Sequence, residues 1–140
     1  MNYLLDTCVL SEYTKRHPDG KVIRWVDTVD ETDLYLCVLT LGEIKKGIEL
    51  MPESKRKDDL SLWLNNVLLK RFSDRLYSIN DGIMLAWGSL YARLQSSGNK
   101  MPLFDSLIAA ACLYHNAILV TRNEADFIPA GVELVNPWKE

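Results

Sequence analysis

Apolar positions along this chain alternate between short continuous runs and helical spacing, and that alternation predicts the elements. Leu4-Leu5 ends at Asp6, giving a short strand that closes on a carboxylate. A short polar helix from Ser11 is broken by the turn chemistry of His17-Pro18-Asp19-Gly20. Val22, Ile23, Val26 and Val29 repeat with helical spacing, so Lys21 to Val29 reads as a helix; Leu34 to Leu39 is a compact run of strand length. Thr40-Leu41-Gly42-Glu43 opens a helix with Ile44, Ile48 and Met51 on one face, ended by Pro52. Glu53 to Lys70 follows as an amphipathic helix carrying Leu60, Trp63, Leu64, Val67 and Leu68.

Tyr77-Ser78-Ile79 reads as a strand, and Asn80 as the cap of a helix through Ile83, Leu85, Ala86, Leu90 and Leu94. Asp105 stands in or beside the first turn of a helix whose stripe is Leu107, Ile108, Ala111 and Cys112. Ile118 to Val120 is a buried strand, Thr121 to Asp126 a polar loop, and Val132 to Val135 an edge strand. Short apolar strands separated by helices predict an α/β fold, a mainly parallel sheet of four to five strands covered by helices. No repeat, low-complexity segment or linker divides residues 1–140, which read as a single domain.

Composition narrows the class. With 48% hydrophobic and 25% charged residues the chain has the profile of a soluble globular protein. No apolar run reaches the roughly 20 residues that span a bilayer, and no leader precedes the first strand, so a cytoplasmic address is expected. Cys8, Cys37 and Cys112 are odd in number, far apart and set in apolar segments, which reads as buried packing rather than a disulfide or thiolate framework. A net charge of −3 gives no general attraction to nucleic acid, so such a partner has to be held by local basic side chains or bound cations.

The acids supply the candidate chemistry. In a parallel sheet the strand carboxyl ends share one edge, where ligands bind. Asp6 ends the first strand, Glu43 follows the second, and Asp105 and Asp126 flank the fourth. Asp6, between Leu4-Leu5 and Val9-Leu10, is poorly placed for a surface charge; Glu43 also fits a capping box with Thr40, Asp105 a helix N-terminus, and Asp126 a solvated loop. Gathered carboxylates repel one another, and a hard divalent cation relieves this. Mg²⁺ or Mn²⁺ so held activates water and polarises a phosphoryl oxygen, which points to phosphodiester hydrolysis.

Leu4-Leu5-Asp6-Thr7 with Val9-Leu10-Ser11-Glu12, Gly42-Glu43-Ile44 with Gly47-Ile48, Pro102 to Ala110, Val120-Thr121-Arg122-Asn123 with Asp126-Phe127, and Asn136-Pro137-Trp138 resemble PIN-domain proteins of the VapC and FitB type, in order and over essentially the full length. The resemblance implies a PIN-like α/β/α sandwich and a Mg²⁺- or Mn²⁺-dependent endoribonuclease, with many such proteins acting as toxins of type II toxin-antitoxin pairs. It makes Asp6 and Asp105 the principal metal ligands, adds Glu43 as ligand and orienter of the attacking water, and makes Asp126 the later acid. Asn123 competes with Asp126 for that place, and Thr7 and Thr121 would hydrogen-bond the ligand acids. Lys45, Lys46, Lys100 and Arg122 stand close enough in sequence to rim a cleft for RNA. His17 and His115, at helix ends, read as capping or surface residues. The implied partners are RNA, a small antitoxin seated along the apolar faces between Ile44 and Leu68, and a second copy of the chain.

Departures from the family pattern are Cys8, where Asn is usual, and Asn99-Lys100, where Gly-Arg is frequent. No principal acid is lost. A housekeeping RNA-processing nuclease shares all of these features. A phosphorelay receiver would need adjacent acids after the first strand and a late Lys, and a haloacid-dehalogenase phosphatase a second Asp where Cys8 stands.

Overall fold

The computed structural model describes residues 1–139. Five strands form one sheet, β1 (Tyr3–Leu5), β2 (Leu34–Cys37), β3 (Leu76–Tyr77), β4 (Ile118–Val120) and β5 (Leu134–Val135), in the order β3-β2-β1-β4-β5. Every pairing is parallel, with Tyr3 opposite both Leu34 and Ile118, and Leu5 opposite Val120. The order reverses direction between β1 and β4, creating the crevice in which doubly wound sheets bind ligands.

Residue alternation along these strands feeds two apolar layers. Leu4 and Leu119 face α6 (Asp81–Ser96) and α7 (Leu103–His115), packing with Ile83, Leu90, Leu94 and Ile108. Leu5, Leu34, Leu36 and Val120 face the opposite layer, packing with Val9 and Leu10 of α1 (Thr7–Glu12), Val22 and Val26 of α2 (Gly20–Thr28), and Ile48 of α3 (Val38–Glu49). At about 1.5–3 kcal/mol per buried aliphatic side chain, these two layers are the main drive for folding.

Several boundaries differ from the sequence reading, each for a local reason. Helix α1 begins at Thr7 and not at Ser11, because the Asp6 carboxylate accepts the Thr7 N–H and caps it at once. The run from Leu34 is strand only to Cys37; Val38 already starts α3, so Thr40 lies inside the helix and forms no capping box with Glu43. The segment after Pro52 is not one helix but α4 (Lys55–Trp63), a π-helical turn over Leu64–Leu68, and α5 (Leu69–Arg71). The third strand, expected over Tyr77–Ile79, lies at Leu76–Tyr77, the fifth shrinks to Leu134–Val135, and the loop after β4 contains the short helix α8 (Glu124–Phe127).

Helix α7 runs back from the site edge to the opposite edge of the sheet. Asn116 ends it in the left-handed region at φ 52°, and the Ala117 N–H bonds Cys112 O at 2.9 Å, turning the chain into β4. That return fixes Asp105, in the first turn of α7, near the carboxyl ends of β1 and β4.

A candidate acidic active site at the sheet switch point

Asp6 and Thr121 directly follow the paired ends of β1 and β4, and the Asp6 N–H continues the ladder onto Val120 O at 3.0 Å. The Asp6 side chain is 7% exposed and held at both oxygens: Oδ1 accepts the Thr7 N–H at 2.9 Å, and Oδ2 accepts the Thr121 hydroxyl at 2.8 Å. Thr121 Oγ1 in turn accepts the Asn123 N–H at 3.0 Å, so one buried hydroxyl ties the acid to the following loop. Thr7 Oγ1 donates to Glu43 Oε1 at 3.2 Å, linking α1 to α3. Both threonines therefore touch acids.

Burial pushes the Asp6 carboxyl above the usual carboxylate range, against the hydrogen bonds from Thr121 and Thr7, and the Asp126 charge adds to the rise. Glu43 is raised by burial first, then by the charges of Asp6 and Asp105, with Thr7 and Lys46 opposing. Asp105 is raised by burial and by the charges of Asp6 and Asp126. Asp6 and Asp105 thus each act on Glu43, and Asp126 acts on Asp6 and Asp105, although the four come from separate elements. None of them is ion-paired to a Lys or Arg among the described residues. Also among the described residues, no three His, Cys, Asp or Glu side chains are grouped closely enough to hold a metal ion by themselves.

An all-oxygen set of carboxylates, from the buried Asp6 to the exposed Asp126, suits a hard cation that takes one or two carboxylates and keeps several waters. It does not suit an enclosed zinc-type site, which needs a closed set of nitrogen or sulfur ligands. By that chemistry the residues fit Mg²⁺ or Mn²⁺.

The basic side chains divide. Lys46 is exposed and its charge reaches Glu43, whereas Lys45 is turned to Glu49 in an ion pair of 2.9 Å. Lys100 lines a separate cleft beside Tyr91 and Met101. Arg122 lies over the Trp138 ring, 4.5 Å from its centroid, and 3.7 Å from Glu12. Asn123 reaches the site through its backbone N–H, and its side chain caps no amide of α8.

Two participants were not foreseen. Cys8 is not simply a buried packing residue: it is half-buried, its thiol 3.8 Å from Asp6 Oδ2 and 3.6 Å from Thr121 Oγ1. Glu12 is 1% exposed and binds Lys15, the Asp19 N–H at 2.9 Å, and Arg122. Burial alone would raise its carboxyl, but Lys15, the Asp19 amide and Arg122 together hold it below the usual range. Glu12 stands in the Val9-Leu10-Ser11-Glu12 stretch of the family resemblance, but its spacing is that of any surface acid on a short helix and assigned it no role. His115 stacks on Tyr77 with ring centroids 3.7 Å apart, away from the acids, and His17 is exposed in a bend; neither joins the site.

Known proteins resemble this chain over nearly its whole length. The family model described as PIN domain matches residues 3–129. The chain is 36% identical over 136 residues to the plasmid stability protein StbB of Pseudomonas syringae pv. tomato, covering 97% of this chain and 98% of that protein. It is 31% identical over 136 residues to a VapC ribonuclease of Sinorhizobium fredii, covering 97% of each. The toxin FitB of Neisseria gonorrhoeae is 28% identical over 137 residues, covering 98% of this chain and 99% of that protein. The FitAcB crystal structure from the same species superposes with a TM-score of 0.93 at 28% identity and 99% coverage of both chains.

Proposed function

The chain belongs to the PIN-domain family, and from that premise we propose that it is a Mg²⁺- or Mn²⁺-dependent endoribonuclease and the toxin of a type II toxin-antitoxin pair. The observation that carries the reading is the buried Asp6 at the switch point, with Glu43 and Asp105 close enough to feel its charge and none of the three ion-paired to a Lys or Arg among the described residues. Names of relatives along the whole chain, a VapC ribonuclease and a FitB toxin, support the substrate and the biological role.

Asp6 and Asp105 would hold the cation, with Asp126 or Asn123 at its outer side. When bound, Mg²⁺ or Mn²⁺ supplies water activation and polarisation of a phosphoryl oxygen. Thr121 and the Thr7 amide hold the two Asp6 oxygens in place beside the crevice. Glu43, raised by burial and by its neighbours, is suited to take a proton from an attacking water, and the Thr7 hydroxyl on Oε1 sets its orientation. Lys46 is the basic side chain best placed to meet an RNA phosphate beside Glu43.

A cleft of about 170 Å³ runs from Thr7 and Glu43 past Ile44 and Ile48 to Leu60 and Trp63. An extended antitoxin segment would lie there, its apolar side chains against Leu60 and Trp63 and a basic one reaching the acids to pair with them. No helix among the described residues is long and apolar enough to cross a membrane. A single domain over 1–140, cytoplasmic action and homodimerisation complete the reading.

Expression of the wild type and of Asp6→Asn and Asp105→Asn, with RNA ends mapped with and without Mg²⁺, tests the proposal. Growth arrest and defined Mg²⁺-dependent cuts are expected for the wild type only. Equal arrest by the variants overturns the metallonuclease mechanism.

A further inference from the structure

Beyond the acids, the loop after β4 has a second face. A cleft of about 550 Å³ lies there, bounded by Arg122, Asn123, Asp126, Asn136, Trp138 and Lys139. Its lining residue Asp126 lies near enough to the acidic site for its charge to be felt at Asp6 and Asp105. Asn123 joins the two as well, its N–H bonded to the Thr121 hydroxyl that holds Asp6.

The Arg122 guanidinium is the organising group of this cleft. Trp138 backs it at 4.5 Å from the ring centroid, and Glu12 Oε2 anchors it at 3.7 Å. Glu12 is itself fixed by Lys15 and the Asp19 N–H, so Arg122 is held from below by a rigid, buried acid. Even so, 51% of the Arg122 side chain is exposed. A guanidinium held by Trp138 and Glu12 and still half exposed at the cleft wall is available for contact at little further cost in side-chain entropy.

The surrounding charges select what enters. Glu12 offsets the Arg122 charge, Lys139 is bound to Glu124 at 2.7 Å, and Asp126 faces the cleft as an acid. A phosphate gains little in such surroundings, whereas a neutral flat ring gains a stacking surface. Unpaired RNA bases stack on guanidinium planes as they do on aromatic rings. The exposed Asn123 amide, which caps nothing, offers a donor and an acceptor to a base edge.

We propose that this cleft is a base subsite: it takes one unpaired nucleobase of an RNA strand, stacked on the Arg122 guanidinium over Trp138, while the neighbouring phosphodiester lies at Asp6 and Asp105. The inference rests on the ribonuclease reading and adds a binding determinant to it. Arg122 is a substrate-binding residue here and takes no part in bond breaking.

The test separates base from backbone. Full-length Asp105→Asn protein, with and without Arg122→Lys, is titrated by fluorescence anisotropy with a short oligouridine and with its abasic analogue of equal length. Stacking predicts that Asp105→Asn protein binds the oligouridine tighter than the abasic strand by about tenfold. Arg122→Lys, which keeps the charge and loses the plane, removes most of that preference and leaves abasic affinity nearly unchanged. Arg122→Gln, planar and uncharged, retains part of the preference and serves if the lysine variant does not fold, as judged by its thermal midpoint.

An equal base preference with and without Arg122→Lys overturns the inference, as does an equal loss for both strands, which would mark Arg122 as a phosphate contact. Weakened binding of a protein partner with RNA binding unchanged also overturns it. Binding is read here without cleavage, so a wild type that cuts no RNA refutes the nuclease reading alone, and a cutting enzyme without base preference refutes this inference alone.

Discussion

Replacing Thr121 with Val is the sharpest perturbation of the site, because the two side chains have nearly the same shape and differ at one hydroxyl. Thr121 is fully buried, and its Oγ1 donates to Asp6 Oδ2 at 2.8 Å and accepts the Asn123 N–H at 3.0 Å. A hydrogen bond to a charged group contributes about 1.5–3 kcal/mol, and a neutral one about 0.5–1.5 kcal/mol. The Asn123 amide is only partly buried and recovers some of its loss from water. Thr121→Val should therefore destabilise the metal-free protein by roughly 2–4 kcal/mol at neutral pH. For a chain of this size that lowers the thermal midpoint by roughly 6–12 °C.

The pH dependence of this loss has a definite sign. The Asp6 carboxyl already sits above its usual value through burial, and the Thr121 hydroxyl opposes that rise. Removing the hydroxyl raises it further, so the variant loses most above the carboxylate range, where Asp6 is ionised, and less below the unfolded-state value, where it is protonated in both states. Urea unfolding in chelator at neutral and at acid pH reads the difference. Titration of the same transition with Mg²⁺ should show a midpoint shifted to about 10- to 100-fold higher metal. A loss under about 0.5 kcal/mol, or an equal loss at both pH values, would show that the hydroxyl does not support the ionised acid.

Asp105→Asn should abolish cleavage yet stabilise the metal-free protein at neutral pH. The raised proton affinity of Asp105 means that ionisation costs folding stability as pH climbs through the carboxylate range, so the gain is full at neutral pH and gone below the unfolded-state value. Solvent screening of this half-exposed group keeps the gain small, and a destabilised variant in chelator would contradict it. Arg75 is a structural prediction away from the acids: it is 9% exposed, donates to Leu34 O at 2.9 Å and Glu31 Oε2 at 3.0 Å, and lies 4.8 Å from the Phe72 ring centroid. Arg75→Ala strands a buried carbonyl and should cost about 2–4 kcal/mol by urea unfolding with cleavage per folded molecule unchanged; a loss below about 1 kcal/mol would refute that role.

The sequence carried the sheet because its strands are short apolar runs buried on both faces, which few other elements imitate. It carried Asp6 for a related reason, since an acid set between Leu4-Leu5 and Val9-Leu10 contradicts its surroundings. Boundaries were less legible where a cap decided them. Asp6 reads as a strand end, yet its side chain also starts α1, and one residue in two roles leaves no separate signal. Thr40 and Glu43 have capping-box spacing, but Val38 begins α3 two residues earlier, because β2 ends at Cys37 and the chain has to turn away from the sheet. Glu12 and Arg122 were illegible as a pair, since their contact spans α1 and the loop after β4, elements that only the parallel pairing of β1 and β4 brings side by side.

That pairing also explains why the acids sit on separate elements. Two carboxylates adjacent on one helix would spend the whole life of the metal-free protein in close repulsion, with no packing to offset it. At the switch point, Asp6 is fixed by two hydrogen bonds at a strand end, while Glu43, Asp105 and Asp126 approach from α3, α7 and α8, each anchored by its own apolar contacts. The repulsion is thereby spread over elements whose burial far exceeds it, and the acids remain far enough apart that no three close on a cation unaided. An open set of this kind keeps room for waters and for a phosphate, which an enclosed structural site does not. The same separation makes the site depend on its supports: Thr121 for Asp6, Thr7 for Glu43, and the Glu12–Arg122 contact for the loop that carries Asn123 and Asp126. Stability and activity should therefore part company in this protein, with substitution of Asp105 relieving repulsion as it removes function, and substitution of Thr121 losing both.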